Sequence, residues 1–437
     1  MGVSALTSLW LISQEARALL TRLNLIKPFV LQETMVPAAA PSHLAQTAIE
    51  DYLVYKKSKL REMIQWFLEW LAREEWVITP DEAQRRLSFL RLRFIAVLLQ
   101  LDVFADVMTQ RSEQETGVWL AGLDKAATDL LRLAGDYYKV PPIVCYLDRG
   151  IGGAIRRART RLPGGGRNPV AIIRIPRERM IGTGIASTLG HEVGHQGAVA
   201  LDLVNSFRPI LVGMQKKGGS EHMAWALWAR WVPEIIPDFW AISKIGIAST
   251  LGLMGVVSLP RAFVFRFNID SPHPIPWIRV KLSCAMGNAL YPHPQWGRLE
   301  NVWESYYPRV GLNDDMERLF SKLESTLPSF ISLLVNHRPK TLRGSSLLEV
   351  FSLKDRHPAR LAEHYSSWSN SAVRMYTASP SLVFAVVGQA RTNGRISPEA
   401  ESKILSKMFT YWAMKGTLDT SAICALQGGA RTGAPVT

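Results

Sequence analysis

The sequence predicts a mostly α-helical chain with one small β-sheet, an α+β fold. Apolar residues recur at helical spacing in several blocks that begin with helix-starting residues. Only two short stretches, Pro141–Tyr146 and Val170–Ile175, alternate apolar and β-branched residues as strands do. An apolar fraction of 47% in 437 residues is ample for a real core.

In chain order, residues 1–30 read as a first helix ended near Pro28, and Met35–Pro41 as a Pro/Ala linker. Helices follow at about 43–77, 80–112 and 115–135. The second of these opens Thr79-Pro80-Asp81-Glu82, a capping box with proline at the first helical position. Within it Leu87, Leu90, Leu92, Ile95, Leu98 and Leu99 keep a helical period, and Trp66, Trp70 and Trp76 read as core. The 35–138 block is therefore expected to be a helical bundle, and the two strands to form a small sheet. After Trp296 helices return at roughly 312–336, 357–375 and 397–414, and disorder is expected from Gln427. The predicted regions are an N-terminal helical part (1–138), a core (139–300), a C-terminal helical part (301–426) and a tail (427–437).

The chemistry concentrates at His191-Glu192-Val193-Gly194-His195. Two histidines four apart share one face of a helix and can bind one Zn²⁺ at ~2.0–2.1 Å. A glutamate directly after the first histidine sits beside the water that such an ion acidifies, placed to take its proton. A catalytic zinc needs a third ligand. Downstream, Trp231-Val-Pro-Glu234-Ile-Ile-Pro-Asp238 offers two carboxylates four apart. Glu234 is the candidate ligand, and Asp238 the candidate partner for the second nitrogen of a zinc-bound histidine. Glu221, His222, Asp238 itself and Asp270 compete for the ligand role. Pro233 and Pro237 predict a helix start or a kink near Glu234.

H-E-x-x-H followed by E-x-x-x-D resembles the gluzincin metallopeptidases. Ser271-Pro272-His273-Pro274, with Arg279 six residues after the histidine, sharpens the likeness. It is similar to the motif of the HtpX-like heat-shock proteases and the CAAX prenyl proteases. The three motifs stand in that family's order, and Asn168 with the strand after it resembles the segment ahead of its active helix. The resemblance covers roughly residues 140–300. It implies a zincin-like metallopeptidase core, a peptide or protein substrate, and catalytic roles for His273 and Arg279 beside Glu192. His273 would stabilise the oxyanion or orient substrate. Arg279 would contact substrate, or brace the site by pairing with Asp270 or Glu192. The family usually has a small residue where Pro237 stands, and many members carry membrane spans.

No such span is expected here. The longest apolar stretch, Ile245–Leu259, has 15 residues, whereas a span needs ~20, so a buried helix is predicted. The N-terminus lacks the basic and long apolar regions of a signal peptide. Cys145, Cys284 and Cys424 are odd in number and widely separated, which argues against a disulfide framework. The cytoplasm is the default expectation, export without a cleavable signal being compatible with it.

The net charge of +14 draws on Arg149, Arg156, Arg157, Arg159, Arg161 and Arg167, interleaved with glycines. This reads as a mobile basic loop, either a solvated surface or a site for an anionic substrate, an acidic partner, nucleic acid or an anionic membrane surface. No nucleic-acid motif accompanies it. A zinc metallopeptidase is the leading expectation. A zinc amidohydrolase acting on a small molecule and a basic helical adaptor binding nucleic acid or an acidic partner are the alternatives.

Overall fold

The computed structural model describes residues 3–27, 34–73, 78–150, 152–177 and 182–431. The chain is mostly helical with one three-stranded sheet, as the α+β expectation has it. By internal contacts it divides into two units that do not follow the three regions drawn from the sequence. One comprises residues 1–121, 157–171 and 414–437, the other 122–156 and 172–413. Residues 301–413 thus share a unit with the 172–300 stretch instead of standing apart.

The first unit is built on α1 (Val3–Leu25), α2 (His43–Leu71), α3 (Pro80–Thr109) and the first turns of α4 (Gln114–Leu131). Its core interleaves Ala16 and Leu19 of α1, Ile64, Phe67 and Trp70 of α2, and Leu87, Leu90 and Phe94 of α3. The Thr79 side chain caps α3 by accepting from Glu82 N at 3.3 Å. The Glu82 carboxylate pairs with Arg86 at 2.7 Å. Trp66, expected in the core, is 54% exposed, and Trp76 lies outside the described residues. The helix expected over 43–77 ends at Leu71, where Ala72 takes the C-cap.

The expected mobile basic loop is, over residues 157–170, a closed hairpin. Arg159 N donates to Asn168 O and Asn168 N to Thr160 O, at 2.8 and 2.9 Å, and Arg161 bridges Arg167. Its tip needs glycine, since Gly164, Gly165 and Gly166 have φ of +70°, +89° and +107°. Gln100 of α3 holds the tip by donating to Pro163 O and Gly165 O, both at 2.7 Å. With Ala158, Leu162 and Asn168 buried beneath it, the segment is ordered, and the arginines ride on a fixed frame.

The second unit contains the sheet, in the order β1 (Ile143–Asp148), β3 (Ala171–Pro176), β2 (Ala154–Arg156). β2 pairs antiparallel with β3, Ile155 opposite Ile173. The sequence expectation missed this three-residue strand, which is too short for an alternation to show. Helices α5 (Thr183–Ala200), α6 (Leu203–Lys217), α7 (His222–Ile245), α8 (Ile247–Val257), α9 (Arg261–Val264) and α10 (Pro276–Leu290) follow. The rest is α11 (Gln295–Tyr306), α12 (Asp314–Val335), α13 (Leu347–Phe351), α14 (Pro358–Asn370), α15 (Ala372–Thr377), α16 (Pro380–Thr392) and α17 (Pro398–Arg431). The apolar Ile245–Leu259 stretch contains α8, mostly buried as expected. Gly246, at φ +58°, separates it from α7. Among the described residues no single helix is long and apolar enough to cross a membrane; α5 and α6 reach that composition only together, bent by 82°. α17 continues through Gln427 to Arg431, past the point where disorder is expected, and 432–437 lie outside the described residues.

Pro233 and Pro237 neither start nor break α7, which runs through both. A proline at position i leaves the carbonyl of i−4 without its helical donor. For Pro233 that carbonyl is Ala229 O, and Arg208 Nε of α6 donates to it at 3.3 Å. A neighbouring helix thus supplies the bond that the proline removes.

One buried charge ties the helices around α10. Lys281, with a side chain 8% exposed, contacts Glu300, Glu304 and Glu324. Burial works against its charge, but the glutamates prevail and push its pKa up to about 12. A lysine raised on folding contributes stability that is whole below its unfolded pKa of 10.5 and is lost as pH rises through about 12. Denaturant titrations should therefore show stability falling over that alkaline interval. Lys281→Met should remove that component and lower stability at pH 7 by about 2 kcal/mol.

Candidate metal centre

The site is assembled by two helices that approach unusually closely. Gly190, Gly194 and Gly197 of α5 lie four and three residues apart, on one helical face. A Cβ on Gly194 would stand 2.7 Å from Pro237 Cα, one on Gly190 3.0 Å from Ala241 Cβ, and one on Gly197 2.3 Å from the Trp240 ring. Real side chains do not tolerate the distances at Gly194 and Gly197, and the one at Gly190 would force Ala241 to shift, so the glycines are what admits α7. Gly252 of α8 is equally tight against Ser187, where a Cβ would lie 2.2 Å from the serine Cβ. The start of α5 is held by Arg391, which donates to Thr183 Oγ1 at 2.9 Å and to Glu401 Oε2 at 2.8 Å.

His191 and His195 sit one residue beyond Gly190 and Gly194, so their rings flank the seam with α7. Glu234, Asp238 and Ala241 form the matching stripe on α7, four and three apart. The rings meet edge to face with centroids 4.8 Å apart. Glu234 Oε2 lies 3.3 Å from His191 Nε2 and 3.6 Å from His195 Nε2. It is buried and has no hydrogen bond of acceptable geometry, despite these imidazoles and that of His273. Two ligand atoms on a tetrahedral ion with bonds of ~2.0–2.1 Å would stand ~3.3 Å apart. One donor from each of His191, His195 and Glu234 lies within 4.8 Å of the others, close enough to share an ion. The residues therefore fit a metal, on the geometry of the donor set and on the unsatisfied buried oxygen. Glu221, His222 and Asp270 are not in this group: His222, for instance, contacts Gln215 through both ring nitrogens.

Behind the donors runs a buried polar chain. His191 Nδ1 donates to Asp238 Oδ1 at 2.7 Å, which turns Nε2 toward Glu234. Asp238 in turn receives two bonds from Arg279, Nε to Oδ2 at 2.7 Å and Nη2 to Oδ1 at 3.0 Å. Arg279 is thus paired with Asp238 and with neither Asp270 nor Glu192. Its side chain is 11% exposed, so its part is to hold Asp238 ionised and in place. Burial works against the Asp238 charge, but Arg279 and His191 outweigh it and depress its pKa well below the carboxylate range. Burial likewise opposes a proton on His191, yet Asp238 and Glu234 raise its pKa to about 9.

Glu192 points away from the seam and is buried, and burial raises its pKa. Its Oε1 lies against Gly153, whose Cβ would come within 2.6 Å. No spacing signal marked Gly153, which is distant in sequence and adjacent only through the fold. His273 brings its Nε2 to 3.1 Å from Glu234 Oε2, with a side chain 48% exposed. It therefore combines contact with the donor cluster and access to solvent. Asn168 is buried within the hairpin of the first unit.

Compared with protein-family models, characterised proteins and solved structures, the chain gives no match.

If the glycine seam sets the donor spacing, enlarging it should disturb the site before the rest of the unit. Gly194→Val should cost about 1–3 kcal/mol of stability from overpacking. It should also lower metal uptake, measured by equilibrium dialysis with Zn²⁺, while far-UV circular dichroism stays helical.

Proposed function

We propose that the chain is a zinc-dependent metallopeptidase of gluzincin type. The observation that carries this is the convergence of His191 Nε2, His195 Nε2 and Glu234 Oε2, with Glu192 on the same helix. The ordered motifs that resemble the HtpX-like and CAAX prenyl proteases fall in this one cluster, with Asp238 and Arg279 arranged behind it. Zinc held by His191, His195 and Glu234 would supply an acidified water and a Lewis-acid partner for the scissile carbonyl. Glu192 takes a proton from the attacking water and passes it to the leaving amine. Burial favours the protonated form between these steps and so suits the carboxylate to a shuttle role. His273, reaching the cluster from the solvent side, donates to the developing oxyanion or orients substrate. Asp238 fixes the His191 ring, and Arg279 fixes Asp238.

A peptide substrate is favoured over a small amide by the sheet. Among the described residues β2 is an edge of the three-stranded order, and Gly153 immediately before it lies against Glu192. An extended backbone can add to such an edge and run past the glutamate.

The test is a peptide-library digest with zinc content measured in parallel. Glu192→Gln should keep zinc while hydrolysis falls at least ~10²–10⁴-fold. Equal cleavage by wild type and variant would assign the activity elsewhere and defeat the proposal. Zinc-loaded wild type that cleaves no peptide would move the reading to a small-molecule amidase. Glu234→Ala should lose zinc. Asp238→Ala should weaken zinc binding ~10–100-fold, and Arg279→Ala should act in the same direction through Asp238. His273→Ala should retain zinc and lose rate by an amount on the order of 2.7–4 kcal/mol, the cost of one oxyanion donor.

A further inference from the structure

Helix α3 is apolar on two opposite faces. Leu87, Leu90 and Phe94, spaced three and four apart, enter the core of the first unit. Leu92, Ile95 and Leu99 have the same spacing on the other side and are 66%, 51% and 47% exposed, with Phe89 beside them at 47%. An ordinary surface helix carries one apolar stripe and faces water with polar residues. A second stripe, open to solvent, marks a surface that meets something apolar.

The residues around that stripe state its charge preference. The arginine hairpin is seated on the same helix: a Cβ on Gly164 would stand 2.2 Å from Ala96 Cβ, and Gln100 holds the adjoining carbonyls. Ala96 and Gln100 are neighbours of Leu92, Ile95 and Leu99, so the hairpin lies alongside the stripe. Between Ala83 and Leu101, and again between Arg157 and Val170, there is no Asp or Glu. Arg85, Arg86 and Arg91 are paired with Asp81, Glu82 and Glu15. Arg93, Arg159, Arg161 and Arg167 are exposed and, among the described residues, carry no ion pair. Because the three glycines and Gln100 lock the tip, these charges are held in place without the entropy cost of ordering a free loop.

We infer that this face of the first unit docks on an anionic membrane surface, with Leu92, Ile95 and Leu99 entering the lipid interface and Arg93, Arg159, Arg161 and Arg167 meeting its headgroups. Aliphatic side chains flanked by exposed arginines match such an interface. Nucleic acid would use the arginines but gives exposed leucine and isoleucine nothing to enter, and a second copy of this chain would bring the same arginines against themselves.

The experiment is co-sedimentation of the full chain with phosphatidylcholine vesicles and with vesicles part-replaced by phosphatidylglycerol. Binding should require the anionic lipid and weaken as salt rises. Arg159→Glu/Arg161→Glu/Arg167→Glu should lose at least on the order of 100-fold in affinity, from about a factor of five for each basic residue removed near the surface, before the repulsion of the added carboxylates. Leu92→Ser/Ile95→Ser/Leu99→Ser should also lose binding, and the loss should persist at low salt, where the arginines alone attract. Unchanged thermal melts and zinc uptake in both variants would show that folding is intact. The inference is overturned if wild type ignores anionic vesicles, or if either triple variant binds them as wild type does. Tighter binding to a DNA oligonucleotide that needs the arginines but not the leucines would overturn it in favour of nucleic acid. A dimer in light scattering that dissociates on the leucine substitutions, without vesicle binding, would overturn it in favour of self-association.

Discussion

The close approach of α5 and α7 is the constraint on which the site depends. Side chains normally hold helix axes 8–10 Å apart, and the donors of one metal must come within a few ångströms of each other. Gly190, Gly194 and Gly197 remove the side chains that would keep Pro237, Trp240 and Ala241 away. The histidines one residue further on then reach Glu234 and Asp238 without leaving their helix. Glycine weakens a helix interior by roughly 0.5–1 kcal/mol per residue relative to alanine. Here that cost is offset by the burial of Trp240 and its neighbours in the seam, where Trp240 also donates to Leu130 O at 2.9 Å.

Orientation comes from the polar chain Arg279–Asp238–His191. A buried carboxylate with no partner would be expensive, and Arg279 makes Asp238 tolerable as an anion. Asp238 fixes which nitrogen of His191 faces Glu234. Each link is set by a different helix, α10, α7 and α5, so an error in any of their packings would be felt at the imidazole. The prolines of α7 fit the same picture: the helix stays continuous because Arg208 of α6 bonds to the carbonyl that Pro233 leaves free. A break there would have put Glu234 and Asp238 out of step.

The first unit shows a related economy in its own hairpin. Three consecutive glycines with positive φ make the tip, and one glutamine side chain secures it through two carbonyls. A segment whose composition suggests disorder is thereby ordered. Composition reports what a loop has in it and not what it rests on, and the glutamine that matters is more than sixty residues away in sequence.

Much of this protein was legible before folding. The helical periods placed α3 and α12, and the alternation both longer strands, to within a few residues, because periodicity is local; the end of α2 was placed too late. The i, i+4 spacing of His191 and His195 determined that both rings share a face. The same spacing of Glu234 and Asp238 determined that one helix can offer a donor and its neighbour's support. Tertiary structure decided what local spacing does not encode. It chose Glu234 over Glu221, His222 and Asp270, since only packing brings one of several acids to two histidines. It sent Arg279 to Asp238 and not to Asp270 or Glu192, kept α7 intact through two prolines, and set Gly153 against Glu192. It also left Leu92, Ile95 and Leu99 outside the core that Leu87, Leu90 and Phe94 of the same helix enter. A helix with two apolar faces can bury either one, and only its neighbours determine which.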